Sequence, residues 1–136
     1  MSNDCIFCKI VAGEIPCAKV YEDENVLSFL DIAPVNKGHA LVVTKAHYED
    51  LLSLPPEAGC GLLDSLQKVG KAVMKVTGAD GFNLIQNNGT AAGQLVFHAH
   101  FHIIPRFSQD GLELWAQGSY DDGEMAELAA KIADQV

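Results

Sequence analysis

The chain has 136 residues, of which 49% are hydrophobic, and a formal net charge of −9 at neutral pH. This length and composition predict one domain with a real hydrophobic core. The charge argues against a nucleic-acid polymer as partner, because no basic stripe is available to neutralise a phosphate backbone, but a single nucleotide remains compatible. No apolar run approaches the ~20 residues of a membrane span. The N-terminus also lacks the features of a signal peptide, so we expect a cytoplasmic protein with no membrane partner.

The N-terminal segment carries a Cys-x2-Cys pair. Cys5 and Cys8 lie in a stretch that predicts a short helical turn ended by Gly13. The pair alone leaves three interpretations open: two small buried side chains, a redox pair, or half of a metal site completed from elsewhere. The four cysteines do not predict a disulfide framework in a cytoplasmic protein of this size.

The rest of the chain predicts an α+β fold, with an antiparallel sheet of about five strands, one long helix and short terminal helices. Alternating and β-branched stretches predict strands at 19–22, 26–30, 39–44, 81–87 and 95–104. The long helix follows Pro55 and Pro56 and ends at Thr77 before Gly78. One apolar stripe on this helix predicts packing on the sheet: Leu62, Leu66, Val69, Val73 and Val76. A further helix is predicted at 124–134.

The last predicted strand holds three of the five histidines of the chain, at alternate positions. Because side chains on a strand alternate between faces, we expect His98, His100 and His102 on one face and apolar residues on the core face. Imidazoles in such a row serve either as metal ligands or as a nucleophile that attacks phosphorus with neighbours that hold phosphate charge. The first and third lie roughly 13 Å apart on a strand, which argues against a single ion bound by all three.

Four segments resemble the histidine-triad (HIT) family, in the order and at the spacing that the family has. They are the triad at 98–104, the phosphate-side segments at 87–89 and 92–94, and the nucleoside-binding segment at 29–34 with 38–43. The similarity runs from about Cys5 to Arg106, which implies a single domain over 1–136 with its core at about 5–106 and a C-terminal tail at 107–136. It implies a HIT-like fold and a homodimer, often with the sheets of two subunits combined.

The resemblance also implies a role for each matching residue. His100 is the catalytic nucleophile, while His102 and His39 orient it and donate to phosphate oxygens. Asp31 accepts hydrogen bonds from the ribose, although an acidic residue at this position is also typical of a simple turn acceptor. The implied contacts with the base are Phe29 and Ile32, and those with the phosphate are Asn87, Gly93, Gln94 and Leu95.

A structural zinc site is the second implication. Similar bacterial members of the Hint-like branch hold zinc with residues that match Cys5, Cys8, His47 and His98. A Cys2His2 set makes a closed tetrahedral site, so this metal is expected to stabilise the fold and not to take part in catalysis. No cofactor is expected to be required for the reaction.

The implied activity is hydrolysis of a purine nucleoside phosphoramidate, or a related nucleotidyl substrate, to the nucleoside monophosphate through a nucleotidyl-histidine. One departure from the family is Leu95, because many phosphoramidases carry Ser or Thr at that position. Three alternatives remain open at this point. They are a dinucleoside polyphosphate hydrolase with Arg106 on the longer phosphate chain, a zinc-dependent hydrolase, and a nucleotide-binding module with negligible turnover.

Overall fold

The computed structural model describes residues 4–136 and confirms the α+β fold. Five antiparallel strands form one sheet in the order β1-β2-β3-β5-β4. The strands are β1 (Lys19–Glu22), β2 (Val26–Leu30), β3 (Ala40–Thr44), β4 (Gly81–Gln86) and β5 (His100–Arg106). The helices are α1 (Ile6–Val11), α2 (Gly59–Thr77) and α3 (Glu124–Ala133), with 3-10 turns at Leu51–Ser53, Pro56–Ala58 and Thr90–Ala92.

Helix α2 covers one face of the sheet, as its apolar stripe predicts. Four of its five stripe residues are buried against β2, β3 and β5: Leu62, Leu66, Val69 and Val73. The prediction is wrong at Val76, whose side chain is 85% exposed. Thr77 is the residue of this last turn that faces Gly38, and Gly78 then ends the helix in the left-handed conformation.

The opposite face of the sheet carries the histidines of β5. His100 pairs with Val43 and His102 pairs with Leu41, so both imidazoles share a face with these apolar side chains. Phe7 of α1 packs on the same face against Leu27, Phe29, Leu41 and Val43. The short N-terminal helix therefore lies directly beside the two imidazoles.

Strand β5 begins five residues later than predicted. Residues 95–99 follow an irregular path because the Ala99 N–H donates to the carbonyl of Tyr48 (2.6 Å) instead of to a neighbouring strand. His98 is consequently outside the ladder, although its ring still packs against Phe7 on the histidine face, with ring centroids 6.0 Å apart. The predicted β3 and β4 are each one residue too long, because β3 begins after His39 and β4 ends at Gln86.

The C-terminal tail lies on the surface. Trp115, the only tryptophan of the sequence, is 86% exposed and therefore does not cover the core. Helix α3 buries none of its residues and exposes Met125, Leu128 and Ile132. Within residues 4–136, no helix is both long and apolar enough to cross a lipid bilayer.

Candidate active site

An open cleft of about 610 Å³ lies on the histidine face of the sheet. Its apolar walls come from α1, the segment 15–18, β2 and β3, and include the predicted residues Phe29 and Ile32. Its polar lining consists of Asp31, Asn87, His100 and His102. Sequence reasoning missed the N-terminal wall formed by Phe7, Ile10 and Ile15, although their apolar character beside the Cys-x2-Cys pair was a usable signal.

The hydrogen bond of His100 determines which of its ring nitrogens carries the proton. The Nδ1 atom lies 2.6 Å from the carbonyl oxygen of His98. Because a carbonyl only accepts, Nδ1 must be the protonated nitrogen, and Nε2 keeps its lone pair. His100 therefore presents an unprotonated nitrogen at the cleft, and the edge of Phe7, with ring centroids 5.0 Å apart, supports the ring.

Hydrogen bonds also determine which ring nitrogens of His39 and His102 carry protons. The backbone N–H of Val35 donates to Nδ1 of His39 (3.1 Å), so the proton of His39 is on Nε2. That Nε2 lies 2.9 Å from Nδ1 of His102 and donates to it. His102 consequently carries its own proton on Nε2, where it is a hydrogen-bond donor.

The structure modifies the expected role of His39. Its side chain is buried, only 3% exposed, and it does not line the cleft. A direct contact with phosphate is therefore not supported, and its interaction with His102 makes it an orienting residue.

Burial favours the neutral form of these imidazoles. It lowers the pKa of His39 and His100, and burial together with the neighbouring His100 and His39 lowers the pKa of His102 to about 4. All three rings are therefore neutral at pH 7, which is the form that the hydrogen-bond chain requires.

Acid is expected to destabilise the protein through His102. Its folded-state pKa of about 4 lies below the ordinary histidine value of 6.5. Between about pH 4 and pH 6.5 the unfolded chain therefore binds more protons than the folded chain, and acid favours unfolding. We expect the free energy of unfolding to fall as the pH is lowered from about 7 to about 5. Urea denaturation measures this fall, which should be shallower in His102→Gln. An equal fall in both proteins would contradict the assignment.

Asp31 performs the predicted turn function and still faces the cleft. Its Oδ1 accepts the backbone N–H of Ala33 (2.8 Å), and its Oδ2 lies 3.8 Å from Nε2 of His39. One carboxylate oxygen thus holds the turn after β2, while the residue also lines the cleft. This arrangement is compatible with the predicted ribose contact.

The four residues predicted to contact phosphate fall into two groups, those that line the cleft and one that is buried in the loop before β5. Asn87, Gly93 and Leu95 line the cleft, and Gly93 adopts a positive φ of 94° that glycine accepts without strain. Gln94 is 1% exposed and is used internally: its Oε1 accepts the Gly89 N–H and its Nε2 donates to the carbonyls of Glu49 and Val96. A side-chain contact between Gln94 and phosphate is therefore not supported, and Gln94 instead braces the loop.

Cys5, Cys8, His47 and His98 come together beside this site, with all four potential ligand atoms within 4.8 Å of one another. His98 is fully buried, and its Nε2 donates to the Thr44 carbonyl (2.6 Å), so its Nδ1 has no proton. This bare nitrogen lies 3.2 Å from Nδ1 of His47, 3.4 Å from Sγ of Cys5 and 3.6 Å from Sγ of Cys8. Tetrahedral zinc bonds of ordinary length place nitrogen and sulfur ligands about 3.3 to 3.6 Å apart, so the residues fit zinc.

A second group, Asp31, His39 and His102, also has potential ligand atoms within 4.8 Å of one another. The Val35 N–H points at Nδ1 of His39 and keeps the ring proton on Nε2, the atom that faces the other two residues. A metal at this position would displace that proton and leave a backbone N–H facing a protonated nitrogen. The arrangement favours a hydrogen-bonded pair of histidines.

The fold and the histidine cluster together define a histidine-triad protein. The family model for the HIT domain matches residues 12–109, and the chain belongs to the HIT family. A crystal structure of a HIT-family member from Bacillus subtilis superposes with a TM-score of 0.91 at 41% sequence identity, covering 98% of both chains. A zinc-bound histidine triad family protein from Mycobacterium smegmatis superposes with a TM-score of 0.78 at 37% identity, covering 100% of both chains.

Two relatives have names that state an activity. Adenylylsulfatase HINT3 of Arabidopsis thaliana is 47% identical over 119 residues, which cover 88% of this chain but only 59% of that protein. Adenosine 5′-monophosphoramidase hnt1 of Schizosaccharomyces pombe is 42% identical over 134 residues, 97% of this chain and 98% of the relative. Together with the family match, these relatives support a nucleotide hydrolase of the HIT type.

Proposed function

We propose that the protein hydrolyses purine nucleoside phosphoramidates or related nucleotidyl substrates at the α-phosphorus and releases the nucleoside monophosphate. The observation that carries the proposal is the unprotonated Nε2 of His100 at the cleft, which follows from the 2.6 Å bond between its Nδ1 and the His98 carbonyl. A neutral imidazole with a free lone pair is a nucleophile at pH 7 and needs no separate base.

In the proposed first step, Nε2 of His100 attacks the α-phosphorus. The new P–N bond forms as the bond to the leaving group breaks, and the leaving amine departs with the electron pair and takes up a proton from solvent. The Nε2–H of His102 donates to a non-bridging phosphate oxygen and stabilises the charge that develops there. His39 keeps His102 in the required tautomer through the bond from its Nε2–H to Nδ1 of His102.

In the second step, water attacks the phosphorus of the nucleotidyl-histidine and the P–N bond breaks. The electron pair returns to Nε2 of His100, and a proton of the water is released to solvent. Asn87 supports phosphate binding in both steps, because its side-chain amide lines the cleft and makes no hydrogen bond to any residue in 4–136. Apolar walls from Phe29, Leu41 and Ile15 would enclose the base.

A structural zinc ion is part of the proposal. Cys5, Cys8, His47 and His98 would hold it, and the metal would tie the N-terminal segment to the irregular chain before β5. Zinc compensates the negative charge of two thiolates in such a site and supplies stability to the fold. The chemical steps above use the chain's own imidazoles.

We also propose that the protein is a cytoplasmic homodimer. Strand β4 is an edge strand of the sheet, and its Phe82 and Leu84 are 45% and 49% exposed. An edge strand has unpaired backbone groups that a second copy of the same strand can pair with. The exposed apolar residues of α3 and Trp115 would add to such an interface.

A dinucleoside polyphosphate hydrolase receives less support from the structure. Arg106, the residue expected to contact a longer phosphate chain, makes an ion pair with Asp110 and donates to Asn83 and to the carbonyl of Leu112. Its guanidinium is therefore occupied by contacts with β4 and with the C-terminal tail. Arg106 does not line the cleft, and the residues that do line it include no Arg or Lys.

Turnover of two substrates tests the proposed function. One is an adenosine 5′-phosphoramidate with a fluorescent amine, and the other is a diadenosine polyphosphate. We expect kcat/KM to favour the phosphoramidate by at least about 10-fold, because the polyphosphate gains no cation from the cleft. A preference for the polyphosphate would support the alternative hydrolase. AMP binding with turnover of neither substrate would reject the enzyme and support a binding module.

A further inference from the structure

His39 takes its orientation from the loop that precedes it. The N–H of Val35 donates to its Nδ1 (3.1 Å), and the backbone carbonyl of Asn36 accepts its own N–H (3.0 Å). His39 lies just before β3 begins at Ala40. The position of the loop therefore decides both where the His39 ring lies and which of its nitrogens holds the proton.

Asn36 is the point at which this loop is anchored to the rest of the fold. Its Nδ2 donates to the carbonyl of Pro105 (2.9 Å) and to Oδ2 of Asp110 (3.0 Å), a residue 74 positions further along the chain. The loop is also closely packed at Gly38, where an added Cβ would lie 2.6 Å from Cγ2 of Thr77. Displacement of Asn36 therefore means displacement of the whole turn that carries the Val35 N–H.

Asp110 is itself held by several donors. Its carboxylate accepts from Nε of Arg106 (2.7 Å), from Nη2 of Arg106 (3.0 Å) and from the N–H groups of Phe107 and Leu112 (both 3.1 Å). The side chain is only 8% exposed. The Arg106 guanidinium holds the pKa of Asp110 well below its usual range, so the carboxylate is charged at neutral pH. Asp110 is thus a fixed anionic acceptor for Asn36.

We propose that Asn36, held by Asp110, is a positioning residue for the reaction. It fixes the loop so that the Val35 N–H imposes the His39 tautomer, and His39 then imposes the tautomer of His102. The proposal deepens the proposed function, since it concerns the same site. It also assigns a role to Arg106, which anchors Asp110, and to the start of the C-terminal tail.

Asn36→Ala tests the proposal, with Asp80→Ala as the matched control. Asp80 also anchors the tail, because its Oδ2 accepts the N–H and the Oγ–H of Ser108 (2.8 and 3.0 Å), but its carboxylate accepts nothing from the loop before His39. We expect Asn36→Ala to lower kcat on the phosphoramidate at least about 10-fold, with KM changed less than about 2-fold. Asp80→Ala is expected to leave kcat within about 2-fold of wild type.

Ring ¹⁵N chemical shifts of the resting proteins give the second readout, because they separate protonated from bare imidazole nitrogens. We expect Nδ1 of His39 to be partly protonated in Asn36→Ala, whereas Asp80→Ala should keep the wild-type tautomers. Unchanged tautomers in Asn36→Ala, or an equal loss of kcat in both variants, would overturn the proposal. If the wild type turns over no substrate, the proposed function fails, and the tautomer comparison still decides the role of Asn36. If Asn36→Ala does not fold, Asn36→Ser replaces it.

Discussion

His100→Gln is expected to reduce turnover of the phosphoramidate by at least about 10³-fold, because it removes the only group assigned to attack phosphorus. His102→Gln is the matched comparison, since it also removes one imidazole from the same face of β5 but leaves the nucleophile in place. Its expected loss is smaller, at about 10²-fold, since it removes one donor to the phosphate. Steady-state kinetics on the same substrate measure both values.

Trapping of the covalent intermediate separates the two roles further. With a substrate labelled in the nucleotide, rapid denaturation in alkali should leave label on the wild type. His102→Gln should also become labelled, but the labelled intermediate should form more slowly. His100→Gln should carry none, although it should still bind AMP in the cleft. Label on His100→Gln, or turnover within about 10-fold of wild type, would show that another residue is the nucleophile.

Removal of the proposed zinc ion is expected to lower the thermal stability of the protein strongly. Loss of the metal would leave two cysteine and two histidine side chains facing one another in a partly buried cluster without the ion that would join them. We expect chelation or Cys8→Ser to lower Tm by about 10 °C, which corresponds to about 3 kcal/mol for a domain of this size. Metal analysis by mass spectrometry and thermal unfolding measure the two parts of this prediction.

Cys60→Ser is the control for that experiment. Cys60 is exposed in the first turn of α2 and belongs to no group of potential metal ligands within residues 4–136. The variant should keep both the metal and the wild-type Tm, and added Zn²⁺ should restore the chelated wild type. A Tm that does not respond to chelation, or equal metal loss in Cys60→Ser, would contradict a structural zinc site.

The cleft should respond to the metal as well, because α1 connects the two. Cys5 and Cys8 flank Phe7, whose ring contacts both His98 and His100 edge-on, with centroids 6.0 and 5.0 Å apart. The same helix supplies Ile6 and Ile10 to the wall of the cleft. The chelated protein should therefore bind AMP more weakly than the zinc-loaded protein at a temperature where both remain folded.

Sequence patterns predicted the elements that depend on local physical chemistry. The stripe from Leu62 to Val73 predicted which face of α2 is buried, because side chains three and four positions apart share a face of any α-helix. Alternation likewise predicted that His100 and His102 share a face. The predicted start of the strand was wrong, because the Ala99 N–H bonds to the distant Tyr48 and leaves His98 outside β5.

The sequence by itself determined the fold class and the strand and helix segments, since these follow from periodicity and from residue type, and its resemblance to the HIT family predicted the histidines and cysteines of the candidate sites. Only the tertiary structure decided which ring nitrogens are protonated, that Gln94 braces its own loop and Arg106 pairs with Asp110, and that Asn36 anchors the loop before His39. Each of these depends on a partner distant in sequence, such as the Thr44 carbonyl, 54 residues from His98. A hydrogen bond assigns a proton only when both partners are in place, and folding brings these partners together.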